Sequence, residues 1–373
     1  MLNNNDFTIT EVRFWSENLE LTKPYDIAYR TVNTVENVFV YLETKNKLWG
    51  IGAGSPAKFV TGETIKEAKA ALQEKLEDLM LGKDIRLIVK HCRLLEDELP
   101  KTPAARKAID IALHDLYAKY LDLPLVEVLG RVHHSLPTSI TIGIKSTIKE
   151  TLQEAEEYIQ KGFKIIKLKI GKSVDEDIET THRLREKVGF EVGIRVDANQ
   201  GYSPIQLQDF FLKTKSLNLE LIEQPIKKDH IQGMFEVSDN IRRFCAADES
   251  LQTPTDALTL AQSPQPFGIY NIKLTKCGGI HSALKIANIA NLAGIDLMWG
   301  CMDESIISIT AALHAALASP ATKYLDLDGS FDLARDVVTD GFILKDGLLN
   351  VSHKSGLGVT LIDRSIKRIY EIS

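Results

Sequence analysis

Three acidic residues close short apolar runs at nearly equal steps. Ile194-Arg195-Val196 ends in Asp197, Leu221-Ile222 in Glu223, and Cys245-Ala246-Ala247 in Asp248. One Asp at a strand end is ordinarily a turn residue or the N-cap of the next helix. Three at steps of 26 and 25 residues form a set. Brought together they repel, and a hard divalent cation relieves the repulsion. All-oxygen ligation favours Mg²⁺ or Mn²⁺ over zinc. Two lysines flank the set: Lys169 in Ile165-Ile166-Lys167-Leu168-Lys169-Ile170, and Lys273 in Ile269-Tyr270-Asn271-Ile272-Lys273-Leu274. Lysines are ordinarily solvated, yet these sit in apolar runs. Lys167 and Lys169, two apart, share a strand face. Burial, a dication and a second lysine would each depress a lysine pKa, leaving a neutral amine for general-base work.

The elements that must position these groups follow from the same spacing. Strand candidates end near Lys169, Asp197, Glu223, Asp248, Lys273, Gly300 and Asp326, in steps of 25 to 28 residues. That is the length of one strand, one helix and two loops. A further strand ends near Thr141, 28 residues before Lys169. Eight such units predict a (β/α)₈-type barrel, whose strand C-termini converge on one face. There Lys169 and Lys273 would oppose each other across the metal. The rival, an open doubly wound sheet, would want a GxGxxG after an early strand, and none is present. Before the barrel, Phe7–Thr10 and Val38–Leu42 read as strands, and Leu19–Arg30 and Gly50–Pro56 as loops. Thr64–Gly130 reads as helical, with Ala104, Ala105, Ala108, Ile109, Ala112, Leu113 and Leu116 on one apolar face. Thr147 and Glu150 predict a capping box.

Composition excludes several classes. The 373 residues carry 45 Lys plus Arg against 51 Asp plus Glu, a net charge of −6. Nucleic-acid and anionic-membrane proteins favour basic faces, so neither partner is expected. The most apolar stretch, Ile306–Ala318, is too short to span a bilayer. Met1–Thr10 has no apolar signal core. Cys92, Cys245, Cys277 and Cys301 match no zinc spacing and suit a reducing compartment. A cytoplasmic protein is the expectation.

Lys167-Leu168-Lys169, Asp197-Ala198-Asn199-Gln200-Gly201, Glu223-Gln224-Pro225, Ala247-Asp248-Glu249-Ser250 and Asn271-Ile272-Lys273 together resemble the enolase superfamily, and within it the muconate-lactonizing-enzyme subgroup. The likeness spans nearly the whole chain. Asp326-Leu327-Asp328, Asp332-Leu333-Ala334-Arg335-Asp336 and Gly356-Leu357-Gly358 are similar to the dipeptide epimerases, a group typified by L-Ala-D/L-Glu epimerase. The resemblance implies an α/β fold, a modified TIM barrel of (β/α)7β form over residues 136–329. An α+β capping domain would span 1–135 and be completed by 330–373. It implies Mg²⁺, with Mn²⁺ as substitute, on Asp197, Glu223 and Asp248. The metal would stabilise the enediolate left when an α-proton departs. Lys169 and Lys273 would remove and return that proton on opposite faces, with Lys167 beside the substrate carboxylate.

Asp326 and Asp328 would receive the ammonium of a dipeptide, and Thr141 resembles a substrate contact. Specificity would lie in two capping loops closing over the mouth, Leu19–Arg30 and Gly50–Pro56, with Arg30, Met302 and Asp303 at the substrate. A carboxylate at Asp303 should repel a glutamate side chain and favour an apolar or cationic dipeptide. N-acylamino-acid racemase, o-succinylbenzoate synthase and muconate cycloisomerase share the lysines and ligands, but their substrates offer no ammonium. A mandelate-racemase reading would want a His on the seventh strand, and Leu297–Met302 has none. A non-catalytic metabolite-binding barrel is the alternative of another class. Barrels of this family often assemble from copies of one chain, so a homo-oligomer is a further implication.

Overall fold

Apolar runs closed by polar residues at a steady interval build a ring of parallel strands. The protein is described by a computed structural model covering residues 7–22, 25–27, 30–32 and 34–362. Its cap sheet is antiparallel: β1 (Ile9–Asn18), β2 (Glu36–Thr44) and β3 (Trp49–Gly54). Three long cap helices follow, α1 (Ile65–Met80), α2 (Ile88–Glu98) and α3 (Pro103–Tyr120). The ring comprises β4 (Ile140–Ile142), β5 (Ile165–Lys169), β6 (Gly193–Asp197), β7 (Ile222–Glu223), β8 (Cys245–Ala247), β9 (Ile269–Ile272), β10 (Asp296–Gly300) and β11 (Thr322–Asp326). Neighbours in the chain are neighbours in the sheet. The ends meet at one parallel bridge, Thr138 to Leu325, where the Ser139 N–H donates to the Leu325 carbonyl at 3.0 Å.

The connecting helices are α4 (Ile148–Gln160), α5 (Val174–Val188), α6 (Pro204–Thr214), α7 (Asp239–Phe244), α8 (Pro254–Leu260), α9 (Ile280–Ala293) and α10 (Ile306–Leu317). After β11 the described residues form strands and no eighth helix, among them Leu348–Val351, which pairs with Leu136–Pro137. The eightfold repeat therefore ends as (β/α)7β. Inside the ring, Leu221, Ala246, Ile269 and Met298 form a small buried layer. Beside it the buried Arg195 donates to Glu220 at 2.6 Å and to the Leu325 carbonyl at 2.5 Å. No helix among the described residues is long and apolar enough to cross a membrane, and the four cysteines are free.

The cap sheet is buried on both faces. Val38, Val40 and Leu42 pack with Leu72, Leu76, Leu95 and Leu113 of the cap helices. Phe39 and Tyr41, between them on the strand, belong to the core that continues into the barrel. That is why Val38–Leu42 reads as unbroken apolar sequence rather than as an alternation. Gly50–Pro56 corrects the loop expected there. Gly50, Gly52 and Gly54 lie in β3 and face α3, where an added Cβ would stand 2.2, 1.9 and 2.0 Å from the carbonyl oxygens of Ala112, Ala108 and Ala104. Glycine on the strand and alanine on the helix, at matching spacing, let two backbones touch. The Thr147 hydroxyl caps α4 as expected, but the Glu150 carboxylate accepts from the Ser146 N–H, so the reciprocal half of the box shifts by one residue.

Candidate active site

The ends of β5 to β9 and β11 bring the predicted polar groups into one mouth. Lys167 and Lys169 leave the same face of β5. Lys167 Nζ lies 2.7 Å from Asp326, 2.7 Å from Glu223 and 3.3 Å from Asp197. Lys169 Nζ donates to Asp197 at 2.6 Å. Across the ring, Lys273 Nζ donates to Asp248 Oδ2 at 2.7 Å. Strands β5 and β9 are four places apart in a ring of eight, so the two lysines approach from opposite sides.

Asp197, Glu223 and Asp248 are buried, at 0%, 0% and 4% exposure. Burial works against the Asp197 charge, but Lys169 and then Lys167 hold its carboxyl below the usual range. Asp248 is held well below, because Lys273 and Lys276 outweigh its burial. Burial, then Asp197, pushes Glu223 up to about 8. Glu223 Oε2 faces Lys167 without an aligned hydrogen bond, and the buried Glu249 Oε2 has no donor. An all-oxygen set of buried carboxylates with such orphaned atoms fits a hard dication. Burial opposes the charge on Lys273, yet Asp248 and Glu223 raise its pKa above the lysine range. The depressed value expected from the sequence assumes a bound dication. A dication on those carboxylates would remove that support and add its own repulsion.

The β11 pair divides. Asp326 has both oxygens engaged, by Lys167 at 2.7 Å and by the Ser139 hydroxyl at 2.6 Å. The two-carboxylate ammonium receptor expected from the sequence is therefore partly spent on Lys167. Asp328 Oδ2 accepts the Thr141 N–H at 2.7 Å, and burial followed by Asp326 pushes it up to about 6. Met302 and Asp303 are half-buried on the loop after β10. That loop is tethered: the Met302 N–H donates to Glu304 at 3.2 Å, and the Glu304 N–H to the Gly329 carbonyl at 3.1 Å. Arg30 begins the strand Arg30–Val32, and its side chain lies outside the described residues, as do 363–373 of the expected cap tail.

Several residues that serve the site escaped the sequence reading. Asn271 donates to Glu223 Oε1 at 2.8 Å. Gln224 Oε1 accepts the N–H groups of Asp248 and Ser250 at 2.9 and 3.1 Å, fixing the end of β8. Lys276 holds Asp248 from beneath. Its burial lowers its pKa while Asp248 raises it. The cap helix α3 grips the loop after β9 at three points. Arg106 donates to the Cys277 carbonyl at 2.8 Å, Lys107 to Thr275 at 2.7 Å, and Asp110 accepts from Ile280 N–H at 2.6 Å. The signal for Asn271 and Gln224 was their place beside a ligand or lysine in the motifs. For Lys276 it was the i, i+3 spacing from Lys273. Nothing local pointed to α3.

Comparison with known proteins adds lineage to this geometry. Residues 9–130 match the family model described as the mandelate racemase / muconate lactonizing enzyme N-terminal domain. Residues 150–365 match the enolase C-terminal domain-like model. A Desulforapulum autotrophicum protein named L-Lys-D/L-Arg epimerase is 57% identical over 354 residues, 95% of this chain and 99% of the relative. An L-Ala-D/L-Glu epimerase of Clostridium acetobutylicum is 34% identical over 91% of this chain and 95% of its own. The crystal structure of a dipeptide epimerase from Methylococcus capsulatus, complexed with Mg and L-Arg-D-Lys, superposes with a TM-score of 0.93. It is 50% identical and covers 95% of this chain and 99% of its own.

Proposed function

The chain belongs to the mandelate racemase / muconate lactonizing enzyme family of the enolase superfamily, and from that premise we propose a Mg²⁺-dependent dipeptide epimerase that inverts the α-carbon of the C-terminal residue of a cationic dipeptide. The observation that carries the reading is the pair of lysines on opposite sides of the buried carboxylates, Lys169 on Asp197 and Lys273 on Asp248. Asp197, Glu223 and Asp248 would hold Mg²⁺, which when bound supplies positive charge to the substrate carboxylate as its α-proton leaves. Lys169 takes or returns the α-proton on one face and Lys273 on the other. Lys167, fixed by Asp326 and Glu223, keeps a positive charge beside the substrate carboxylate. Asp328, with Thr141 on one oxygen, receives the dipeptide ammonium through the other.

A cationic substrate is supported by Asp303 beside Met302 on the loop after β10, and by relatives named L-Lys-D/L-Arg epimerase. The cap of 1–135, completed by 330–373, closes over the barrel of 136–329. Cytoplasmic placement and homo-oligomeric assembly remain part of this reading. The test is proton exchange in D₂O with L-Lys-L-Arg and Mg²⁺, followed by NMR. The parent should deuterate the Arg α-position and yield both epimers. Lys169→Ala and Lys273→Ala should each abolish epimerisation, with a loss of at least about 10²–10⁴. They should retain exchange with opposite epimers. No deuterium in any dipeptide, or epimerisation surviving both substitutions, defeats the reading.

A further inference from the structure

Lys276 is one turn beyond Lys273, on the short helix Leu274–Cys277. Its side chain is 1% exposed. An ammonium has three N–H donors, and Lys276 finds three acceptors: Asp248 Oδ1, the Asp248 carbonyl at 2.6 Å and the Asn271 carbonyl at 3.0 Å. All its donors are therefore spent on the protein. It has no lone pair for a proton and no N–H left for a substrate.

The acceptors explain what it does. The backbone ladder between β8 and β9 covers Ala246 with Ile269 and Ala247 with Tyr270. The pairing stops there; the next residues in step are Asp248 and Asn271, with Lys273 two positions further on. Lys276 spans the gap by holding one carbonyl from each strand, so a side chain continues a pairing that the backbone has ended. Its third contact divides the Asp248 carboxylate. Oδ1 belongs to Lys276, and only Oδ2 reaches Lys273, at 2.7 Å.

We propose that Lys276 is a positioning residue, a cross-strand clamp that sets the spacing of Asp248 and Lys273 and stops Asp248 from closing on Lys273 with both oxygens. The metal-binding consequence needs no dipeptide chemistry; the face-specific consequence rests on the epimerase reading. Without the clamp, Asp248 turns both oxygens to Lys273. A cation must then displace that pairing, and Lys273 must leave a two-oxygen contact before it can reach a substrate. Lys169, held by Asp197 on the far side, is not touched.

Two measurements on Lys276→Met test this, made beside the parent on the full chain. In a Mn²⁺ titration followed by electron paramagnetic resonance, without substrate, binding should weaken about tenfold. Loss of a nearby positive charge by itself would tighten binding, so unchanged or tighter binding overturns the clamp. In D₂O exchange, the epimer silenced by Lys273→Ala should slow at least tenfold more in Lys276→Met than the opposite epimer. Equal slowing of both faces, or none, also overturns it. If the parent exchanges no dipeptide, the epimerase reading fails and the Mn²⁺ titration alone decides the clamp. Should Lys276→Met unfold, Lys276→Gln, whose two amide N–H donors cannot serve all three acceptors, is read by the same two criteria.

Discussion

A fully buried ion pair ties the cap to the loop that carries Met302 and Asp303, and breaking it tests whether the two parts act as one. Lys107 of α3 is 0% exposed and Glu304, beside Asp303, is 2% exposed. Lys107 Nζ contacts Glu304 Oε2, the Thr275 hydroxyl at 2.7 Å and the Ser55 hydroxyl at 3.3 Å. Ser55 and Thr275 in turn reach Glu304 at 3.0 and 3.3 Å. Lys107→Met keeps most of the volume but leaves Glu304 charged among two hydroxyls and one N–H. An unpaired buried charge costs about 3–5 kcal/mol. Glu304→Gln should cost a similar amount by stranding Lys107. Combining the two removes both charges, so the pair should show a coupling of about 2–3 kcal/mol in a double-mutant cycle. Urea unfolding of the four proteins, with the slope checked for constancy, measures it. The same loop presents Met302 and Asp303, and Glu304 holds the Met302 N–H. KM for a dipeptide should therefore rise in the single variants, with a smaller change in kcat. A cost below about 1 kcal/mol for Lys107→Met, or strict additivity, would refute the coupling of cap to loop.

Two further outcomes follow from named groups. Asp303→Asn should lower kcat/KM for Lys- and Arg-containing dipeptides by about 10- to 100-fold, the worth of a charged hydrogen bond, while apolar dipeptides change little. A uniform change across a dipeptide panel would remove Asp303 from specificity. Glu63, 2% exposed, accepts the N–H groups of Ala104 and Ala105 at the start of α3, yet burial pushes it up to about 7. A raised carboxyl binds its proton more tightly in the folded chain than in the unfolded one. Stability is thus lost as pH rises from about 4.5 to about 7, and the loss is complete above that window. Glu63→Gln removes this slope, so its unfolding free energy relative to the parent should climb by about 2–3 kcal/mol between pH 5 and pH 8. A difference that does not vary with pH contradicts the assignment.

By itself the sequence determined the period and the chemistry at its nodes. Lys169, Asp197, Glu223, Gly300 and Asp326 each end a strand of the ring, and Asp248 and Lys273 follow one directly. This was legible because each parallel strand, its helix and its loops are contiguous, so a polar residue closing an apolar run marks the barrel mouth without knowledge of its neighbours. The resemblance in the motifs carried the family for the same local reason. What the tertiary structure decided are the pairings between segments far apart in the chain. Asp326 turns out to serve Lys167, 159 positions away, as much as any ligand. Lys273 meets Asp248, 25 positions away, at 2.7 Å. Gly50, Gly52 and Gly54, which as local sequence look like a flexible loop, are a strand because α3 needs their missing side chains. Lys107 finds Glu304 across 197 positions, and Lys276 closes a gap between two strands that no periodicity reveals. Local sequence records which residues a strand delivers. Which of them are free to act depends on the charges and donors that other strands and the cap bring within hydrogen-bond reach.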